Sequence, residues 1–159
     1  MERKLGYQMN VFAPTEEIKG RRVLPANTES FSAIVDASQD TTLLPGDPVV
    51  IVSTSAGLPH VAKAAVGGLI MGFVEWNVIR PGYEAGNICQ ISPASNVMYM
   101  ETAGAVDAGV ALNITDLENV YVGAKSGNGS VIGYSLEAAN GANQLIRVKI
   151  AEPAVYAAN

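Results

Sequence analysis

Residues 131–150 read VIGYSLEAANGANQLIRVKI, and this stretch gives the clearest fold signal in the chain. Apolar and polar residues alternate on both sides of the Asn140-Gly141 pair. Such alternation is typical of a strand with one buried face, and Asn-Gly between two alternating runs favours a hairpin. The stretch therefore predicts two antiparallel strands. It contains no histidine and no cysteine, so its pattern is structural rather than catalytic.

The alternation also assigns each side chain of this hairpin to a face, because successive residues of a strand point to opposite sides. We expect the inward-facing residues to be Ile132, Tyr134, Leu136, Ile146, Val148 and Ile150. We expect the outward-facing residues to be Ser135, Glu137, Arg147 and Lys149. Glu137 should then lie near Arg147 or Lys149 across the turn, where opposite charges on neighbouring strands attract each other.

Similar strand signals continue upstream as far as Phe31. LLPGDPVVIV at 43–52 places a Pro-Gly-Asp turn before four β-branched residues. A second Asn-Gly pair, at 128–129, makes residues 119–150 a predicted three-stranded antiparallel meander. About ten short antiparallel strands in a chain of this length predict an all-β fold, either a single compact β-barrel or a β-sandwich.

A weak internal repeat runs through these strands. Four strands follow a small turn that contains glycine: PGDPVVIV at 45–52, AGNICQIS at 85–92, AGVALNIT at 108–115 and NGANQLIRVKI at 140–150. Two further strands carry a glycine followed by an aromatic residue: LIMGFVE at 69–75 and VIGYSLE at 131–137. The pattern indicates one strand-turn-strand unit that occurs twice.

The first 30 residues differ from the rest in charge and in pattern. Residues 1–22 carry a net charge of +2, whereas the remainder of the chain carries −7. Their apolar residues are scattered and do not alternate with polar residues as they would in a strand. We predict an extended N-terminal arm over residues 1–30 and one compact domain over residues 31–159. The alternative for the first segment is an ordinary edge strand followed by a loop.

Composition excludes several classes of function. The net charge of −5 argues against a nucleic acid as the main partner, because phosphate binding needs clustered lysine and arginine. No apolar run approaches the roughly 18 residues of a membrane span, so no membrane partner is expected. The N-terminus lacks the apolar core of a signal peptide. We expect a soluble protein made in a reducing compartment.

The residues that usually carry chemistry are few and dispersed. Cys89 and His60 are the only cysteine and histidine, so the chain cannot supply a zinc site of the usual spacing. The aspartates fall at strand ends and turns, where their side chains commonly bond local backbone amides. The glycine-rich VGGLIMG segment matches no phosphate-binding motif. We therefore expect a non-enzymatic protein with no cofactor and no metal.

Two sets of residues are candidates for contacts with other molecules. In NVMYMET at 96–102 both faces are apolar, so the strand is either central in a sheet or covered by another subunit. Met98 and Met100 are therefore candidates for an oligomer contact. Trp76 and Tyr83 flank the loop EWNVIRPGYEAG and are candidates for stacking on a glycan. The alternative for this aromatic pair is that the two rings close the end of a core.

The succession of LLPGDPVVIV, LPHVAKA, GLIMGFVE, EAGNICQIS and VIGYSLEAANGANQLIRVKI resembles the capsid decoration, or structural cement, proteins of tailed bacteriophages. The resemblance covers roughly residues 31–150 and rests on the order of these segments. It implies a β-barrel or β-sandwich that binds the outer surface of the phage head as a homotrimer. It further implies attachment at three-fold and quasi-three-fold positions, where the trimer clamps adjacent major capsid proteins against the pressure of packaged DNA.

The same resemblance implies partners, a location and a contact segment. The partners are the major capsid protein and further copies of this chain, and the location is the virion, after synthesis in the host cytoplasm. In similar proteins an N-terminal arm lies on the shell, so the candidate capsid contacts are Arg3, Lys4, Tyr7, Phe12, Lys19, Arg21 and Arg22. The alternative function is a carbohydrate-binding or head-fibre β-sandwich module that contacts glycans of the host surface.

Overall fold

A computed structural model describes residues 19–20, 30–55, 57–65, 69–116, 118, 120–127, 129–152 and 155–156. The regular secondary structure of these residues consists of twelve β-strands. Ten of the strands form two closed barrels of five strands each. The all-β prediction is therefore confirmed, but the single barrel or sandwich becomes a pair of small barrels.

Barrel 1 is built from the first five strands of the chain. These are β1 (Phe31–Val35), β2 (Pro48–Ser55), β3 (Leu58–Lys63), β4 (Gly72–Val74) and β5 (Ile88–Ser92). Their order around the barrel is β1-β3-β2-β4-β5, and pairing between β5 and β1 closes it. β1 and β3 are parallel, and the other neighbours are antiparallel.

Barrel 2 follows directly along the chain. Its strands are β6 (Val97–Thr102), β7 (Ala111–Asp116), β8 (Tyr121–Ala124), β10 (Gly133–Ser135) and β11 (Leu145–Ile150). Their order is β10-β11-β6-β8-β7, closed by pairing between β10 and β7. The strands β9 (Gly129–Ser130) and β12 (Val155–Tyr156) form a separate two-stranded sheet.

The two barrels repeat one topology strand for strand. β1 to β5 correspond in order to β6, β7, β8, β10 and β11, including the parallel pair formed by the first and third strand of each set. The second strand of each barrel carries a register shift, between Ile51 and Ser53 in barrel 1 and between Ile114 and Asp116 in barrel 2. The duplicated unit predicted from the glycine-containing segments is thus confirmed.

Main-chain hydrogen bonds outside the ladders match in the same way. The turn before the second strand is held by a bond from Gly46 N to Val74 O in barrel 1 and from Gly109 N to Ser135 O in barrel 2. Both glycines have a positive φ, 89° and 80°, which L-residues adopt only with strain. This conformational requirement explains why a glycine recurs in the small turns before these strands.

The barrels pack directly on each other through the outer side of β4. Val74 points into the core of barrel 1, whereas its neighbour Phe73 is fully buried in the apolar cluster of barrel 2. Ala64 and Ile70 join the same cluster from barrel 1, and the partly buried Val50 packs against it. A short strand with two buried faces therefore couples the two halves of the chain.

The predicted faces of the 131–150 hairpin are correct on one strand and partly wrong on the other. Ile146, Val148 and Ile150 are buried, and Arg147 and Lys149 are exposed, as predicted. On the first strand Ile132 is buried as predicted, but Tyr134 and Leu136 are 46% and 47% exposed and Ser135 is 1% exposed.

Gly133 explains this reversal. A Cβ at this position would lie 2.5 Å from the Lys149 carbonyl oxygen and 2.7 Å from Val148 Cγ1, so Gly133 faces the barrel interior. Ile132 lies before the strand begins and also packs inward, so two consecutive residues are internal. Because alternation restarts at Gly133, Ser135 rather than Tyr134 points into the barrel.

The predicted meander over residues 119–150 is also corrected. β8 pairs with β6 and β7, and β9 pairs with β12, so neither of them extends the β10–β11 hairpin. The β1–β3 and β6–β8 pairs are parallel, which the prediction of antiparallel strands did not include. Parallel neighbours come from separate parts of the sequence, and no turn motif marks them.

Candidate functional site

Polar groups of the described residues serve mainly the turns. Asp36 accepts hydrogen bonds from the backbone and hydroxyl of Ser38, which lower its pKa. Asp47 accepts from Leu44 N and pairs with Lys63 at 3.0 Å. These aspartates are turn formers, as predicted.

The lone histidine and cysteine lie in separate structural settings. His60 Nδ1 lies 3.2 Å from Asp36 Oδ2 beside the parallel β1–β3 pair. Cys89 is buried in barrel 1, and that burial raises the pKa of its thiol to about 11. Within the described ranges, no group of three or more His, Cys, Asp or Glu residues is arranged to hold a metal ion. The same ranges contain no helix that could span a membrane.

A short piece of the N-terminal segment is fixed at the junction of the two barrels. Gly20 N donates to the Tyr99 carbonyl of β6, and the Gly20 carbonyl accepts from Trp76 N, both at 3.0 Å. A Cβ on Gly20 would lie 2.5 Å from Gly46 N, and the φ of Gly20 is +74°. Only glycine fits this contact without a shift of the backbone, so Gly20 anchors the segment to both barrels.

Lys19 extends the same anchor across barrel 2. Its ammonium lies 3.5 Å from the Glu101 carboxylate and 5.4 Å from the centre of the Tyr121 ring. Glu101 and Tyr121 are register partners on the parallel β6–β8 pair, so one lysine contacts both strands. Lys19 was predicted to contact a capsid, and the structure places its charge against its own chain. The other predicted contacts of this segment lie outside the described residues: Arg3, Lys4, Tyr7, Phe12, Arg21 and Arg22.

Met98 and Met100 lie inside barrel 2. They are 0% and 3% exposed and belong to its core cluster. β6, which carries them, is paired with β11 on one side and β8 on the other. The central position of the strand accounts for its two apolar faces, so Met98 and Met100 offer no exposed surface to another subunit.

The two aromatic residues proposed for glycan stacking differ in exposure. Tyr83 is 2% exposed in the core of barrel 1, forms an isolated bridge with Leu43, and has its pKa raised by burial. Tyr83 therefore closes a core, which was the alternative prediction, and offers no free ring face. Trp76 is half-buried beside the Gly20 anchor.

Solvent-exposed apolar residues mark other candidate surfaces. Ile79 is 83% exposed and Ile88 is 56% exposed, and both line a shallow depression of about 410 Å³ on barrel 1. Arg80 donates to Asn87 across this depression at 2.9 Å. On barrel 2, Tyr134 and Leu136 are the half-exposed pair described above. Most residues of the depression belong to the loop EWNVIRPGYEAG, which the sequence had already indicated as a candidate surface. The Tyr134–Leu136 surface was not identified, because strand alternation had assigned both residues to the core.

Among known proteins, the chain matches solved structures but no family model and no curated sequence. Among solved structures, the chain is similar to the N base of the head fibre gp8.5 of bacteriophage phi29, with a TM-score of 0.52. The two are 16% identical, and the match covers 81% of this chain and 98% of the phage chain. At this identity the likeness establishes a shared fold.

Proposed function

We propose that this chain is a non-enzymatic structural protein of a bacteriophage head. Its role is to bind the outer surface of the capsid as a decoration protein, with the major capsid protein as its partner. The observation that carries this proposal is the fold: a pair of barrels whose arrangement is similar to the base of a phage head fibre over nearly all of that base. The segment order that resembles capsid decoration proteins supports the same class of partner.

Trimeric assembly on the shell is the finer part of the proposal. A homotrimer at three-fold and quasi-three-fold positions contacts several capsid subunits together, so modest contacts at each subunit combine into strong attachment. The two barrels suit such a clamp because their shared apolar cluster resists movement of one barrel against the other. Decoration of this kind stabilises the shell against internal DNA pressure.

The Gly20 anchor refines the role of the N-terminal segment. Two main-chain hydrogen bonds hold Lys19–Gly20 between the barrels, so residues 1–18 are tethered to the body at a fixed point. Arg3, Lys4, Tyr7 and Phe12 precede this point and Arg21 and Arg22 follow it, and these six residues remain the proposed capsid contacts. Lys19 belongs to the anchor, because Glu101 and Tyr121 engage it.

Decoration of isolated heads tests this proposal. Purified protein is added to heads that lack it, and cryo-electron microscopy locates the added density relative to the symmetry axes. We expect density on the outer surface at three-fold and quasi-three-fold positions. A variant that lacks residues 1–18 but keeps Lys19 and Gly20 should remain folded and decorate poorly. Full decoration by that variant would remove the N-terminal contact from the proposal, and bare heads with the full chain would refute the proposal itself.

A head-fibre base is the second candidate function, and the structural likeness to the base of the phi29 head fibre favours it. In that role the barrels attach to the head and present a further module. The related glycan-binding function depends on Trp76, because Tyr83 is buried. Trp76 is the only tryptophan, so its fluorescence reports directly on this site. Unchanged emission during titration with host polysaccharide, while heads are still decorated, would exclude the glycan role alone.

A further inference from the structure

The internal repeat allows the surface of one barrel to be compared, position by position, with the surface of the other. β4 and β10 are equivalent strands, since Pro48 pairs with Phe73 in barrel 1 and Ala111 pairs with Tyr134 in barrel 2. The next outward positions are Glu75 and Leu136, whose backbone amides donate to the equivalent carbonyls of Gln90 and Arg147. Phe73 therefore corresponds to Tyr134, and Glu75 to Leu136.

These equivalent positions differ sharply in exposure. Phe73 and Glu75 are 0% and 8% exposed, and Phe73 is buried by packing against barrel 2. Tyr134 and Leu136 are 46% and 47% exposed on the matching outer face. In this topology, then, the outer face of the fourth strand is a surface on which another barrel packs. On barrel 1, the outer face of β4 packs against barrel 2 of the same chain. On barrel 2, the equivalent outer face of β10 is exposed to solvent.

The charges around Tyr134 indicate which partner fits the open face. Lys149 is the register partner of Tyr134, whereas Arg147, which lies next to Leu136, is paired with Glu137 at 2.9 Å. Lys125 donates its backbone amide to Ala111, the other register partner of Tyr134. These three residues are all the basic residues of segment 97–150. An apolar centre flanked by Lys149 and Lys125 favours an acidic partner.

This chain is itself such a partner. Segment 31–92, which forms barrel 1, has five carboxylates and two bases, a net charge of −3, and the whole chain carries −5. Within each molecule, barrel 1 already packs against barrel 2. We propose that the outer β7–β10 face of barrel 2, centred on Tyr134 and Leu136, binds a second copy of this chain. The inference rests on the trimeric part of the proposed function and specifies the surface that forms it.

Sedimentation of the purified full chain, without capsids, tests this surface. The double variant Tyr134→Ser, Leu136→Ser replaces the apolar centre, and the matched control Tyr134→Phe, Leu136→Met keeps it. We expect the serine variant to associate about tenfold more weakly or worse, as for loss of a contact that dominates an interface, and the control to associate like the parent. Because both positions are half-exposed, thermal unfolding of dilute protein should show that both variants are folded.

A fluorescent probe gives an independent measurement. In Tyr134→Cys the new thiol can be labelled with a polarity-sensitive dye, and Cys89 does not compete because it is buried with a raised pKa. The emission should shift towards that of an apolar environment over the concentration range in which oligomers form. Lys149→Glu should weaken association, because it reverses a charge beside Tyr134.

The outcomes separate this inference from the proposed function. Two results would overturn the proposal that the β7–β10 face binds a second copy. One is that the serine variant forms oligomers as well as the parent, and the other is that the dye emission does not shift while oligomers form. A chain that stays monomeric at every concentration would overturn both this surface and the trimer. Binding to phage heads is measured in the separate decoration experiment, so head binding by a monomer would leave the capsid partner standing.

Discussion

Gly133 determines which side chains of barrel 2 face the solvent. The absence of a side chain allows its backbone to lie against the Lys149 carbonyl, and strand alternation then places Ser135 inside. The buried Ser135 hydroxyl donates to Asp107 O at 2.6 Å and accepts from Val110 N at 3.1 Å. Gly72 occupies the equivalent place in barrel 1, where a Cβ would lie 2.6 Å from Ile91 Cγ2. Each barrel therefore needs a glycine at the start of its fourth strand.

Substitution of this glycine should be costly. Gly133→Ala places a methyl group 2.5 Å from a main-chain oxygen, so backbone must move, and we expect a loss of about 1–3 kcal/mol in the free energy of unfolding. Gly104→Ala is the matched control in the same barrel, because a Cβ there meets nothing within 4 Å. Urea denaturation of both variants measures the difference. Equal stabilities would mean that the close approach at Gly133 relaxes without cost.

The Glu137–Arg147 pair links stability to pH. Burial raises the pKa of Glu137, but the hydrogen bonds and the charge of Arg147 outweigh it and lower that pKa below its ordinary value. A lowered folded-state pKa means that the carboxylate contributes stability above its unfolded pKa, and that this contribution is lost as the pH falls through the folded pKa.

Glu137→Gln should therefore destabilise the protein at neutral pH but not in acid. The Arg147 side chain is 45% exposed, so we expect a loss of no more than about 1 kcal/mol at pH 7. The difference from the parent should vanish once Glu137 is protonated, below its folded pKa. Unfolding measured in urea across the acidic range tests this, with the exposed Glu84→Gln as control. A constant difference at every pH would assign the effect to packing.

At the scale of elements, the sequence predicted strands well and their partners poorly. Alternation and glycine turns identified β2, β5, β7 and β11 because these signals are local. The parallel β1–β3 and β6–β8 pairs have no local signature, since they join strands that are distant in sequence. The exposed pair Tyr134 and Leu136 was missed for a related reason. At Gly133 the inward–outward alternation of side chains shifts by one residue, which exchanges the buried and exposed sides of β10. Composition alone does not reveal this shift.

The equivalent residues Phe73 and Tyr134 give a matched test of the two fourth strands. Phe73→Ala removes a fully buried ring from the contact between barrels, and we expect it to cost about 3–5 kcal/mol. Tyr134→Ala alters a half-exposed ring and should cost less than about 1 kcal/mol in dilute solution. Chemical denaturation at low protein concentration compares them. Similar losses of stability in the two variants would contradict the interpretation that the outer face of β4 is buried within the chain while that of β10 is open.

For the whole molecule, the shared cluster predicts how the two barrels unfold. Phe73, Ile70 and Ala64 of barrel 1 belong to the apolar cluster of barrel 2, so unfolding of barrel 1 removes part of the core of barrel 2. We therefore expect a single cooperative transition, with a calorimetric to van't Hoff enthalpy ratio of about 1. Differential scanning calorimetry measures this ratio. Two resolved transitions in the parent would show that the barrels are thermodynamically independent.

The candidate site could be predicted only at the coarsest level. Sequence reasoning directed attention to the outside of the protein and to its first 30 residues, and Gly20 does attach that segment to the body. It could not show that Lys19 is engaged by Glu101, because that contact joins distant parts of the chain. Nor could it show that Met98 is internal, since an apolar strand face has the same sequence whether it packs within its own chain or against another subunit.

Closure of the two barrels has a consequence for behaviour at high concentration. Each of the ten barrel strands has a partner on both sides, although residues 51–55 of β2 pair only with β3, so closure removes most of the free sheet edge of the two barrels. Such edges are the usual templates for β-aggregation between chains. We therefore expect the barrels of crowded copies to contact one another mainly through side chains. This closure should reduce strand-to-strand aggregation when many copies accumulate before assembly.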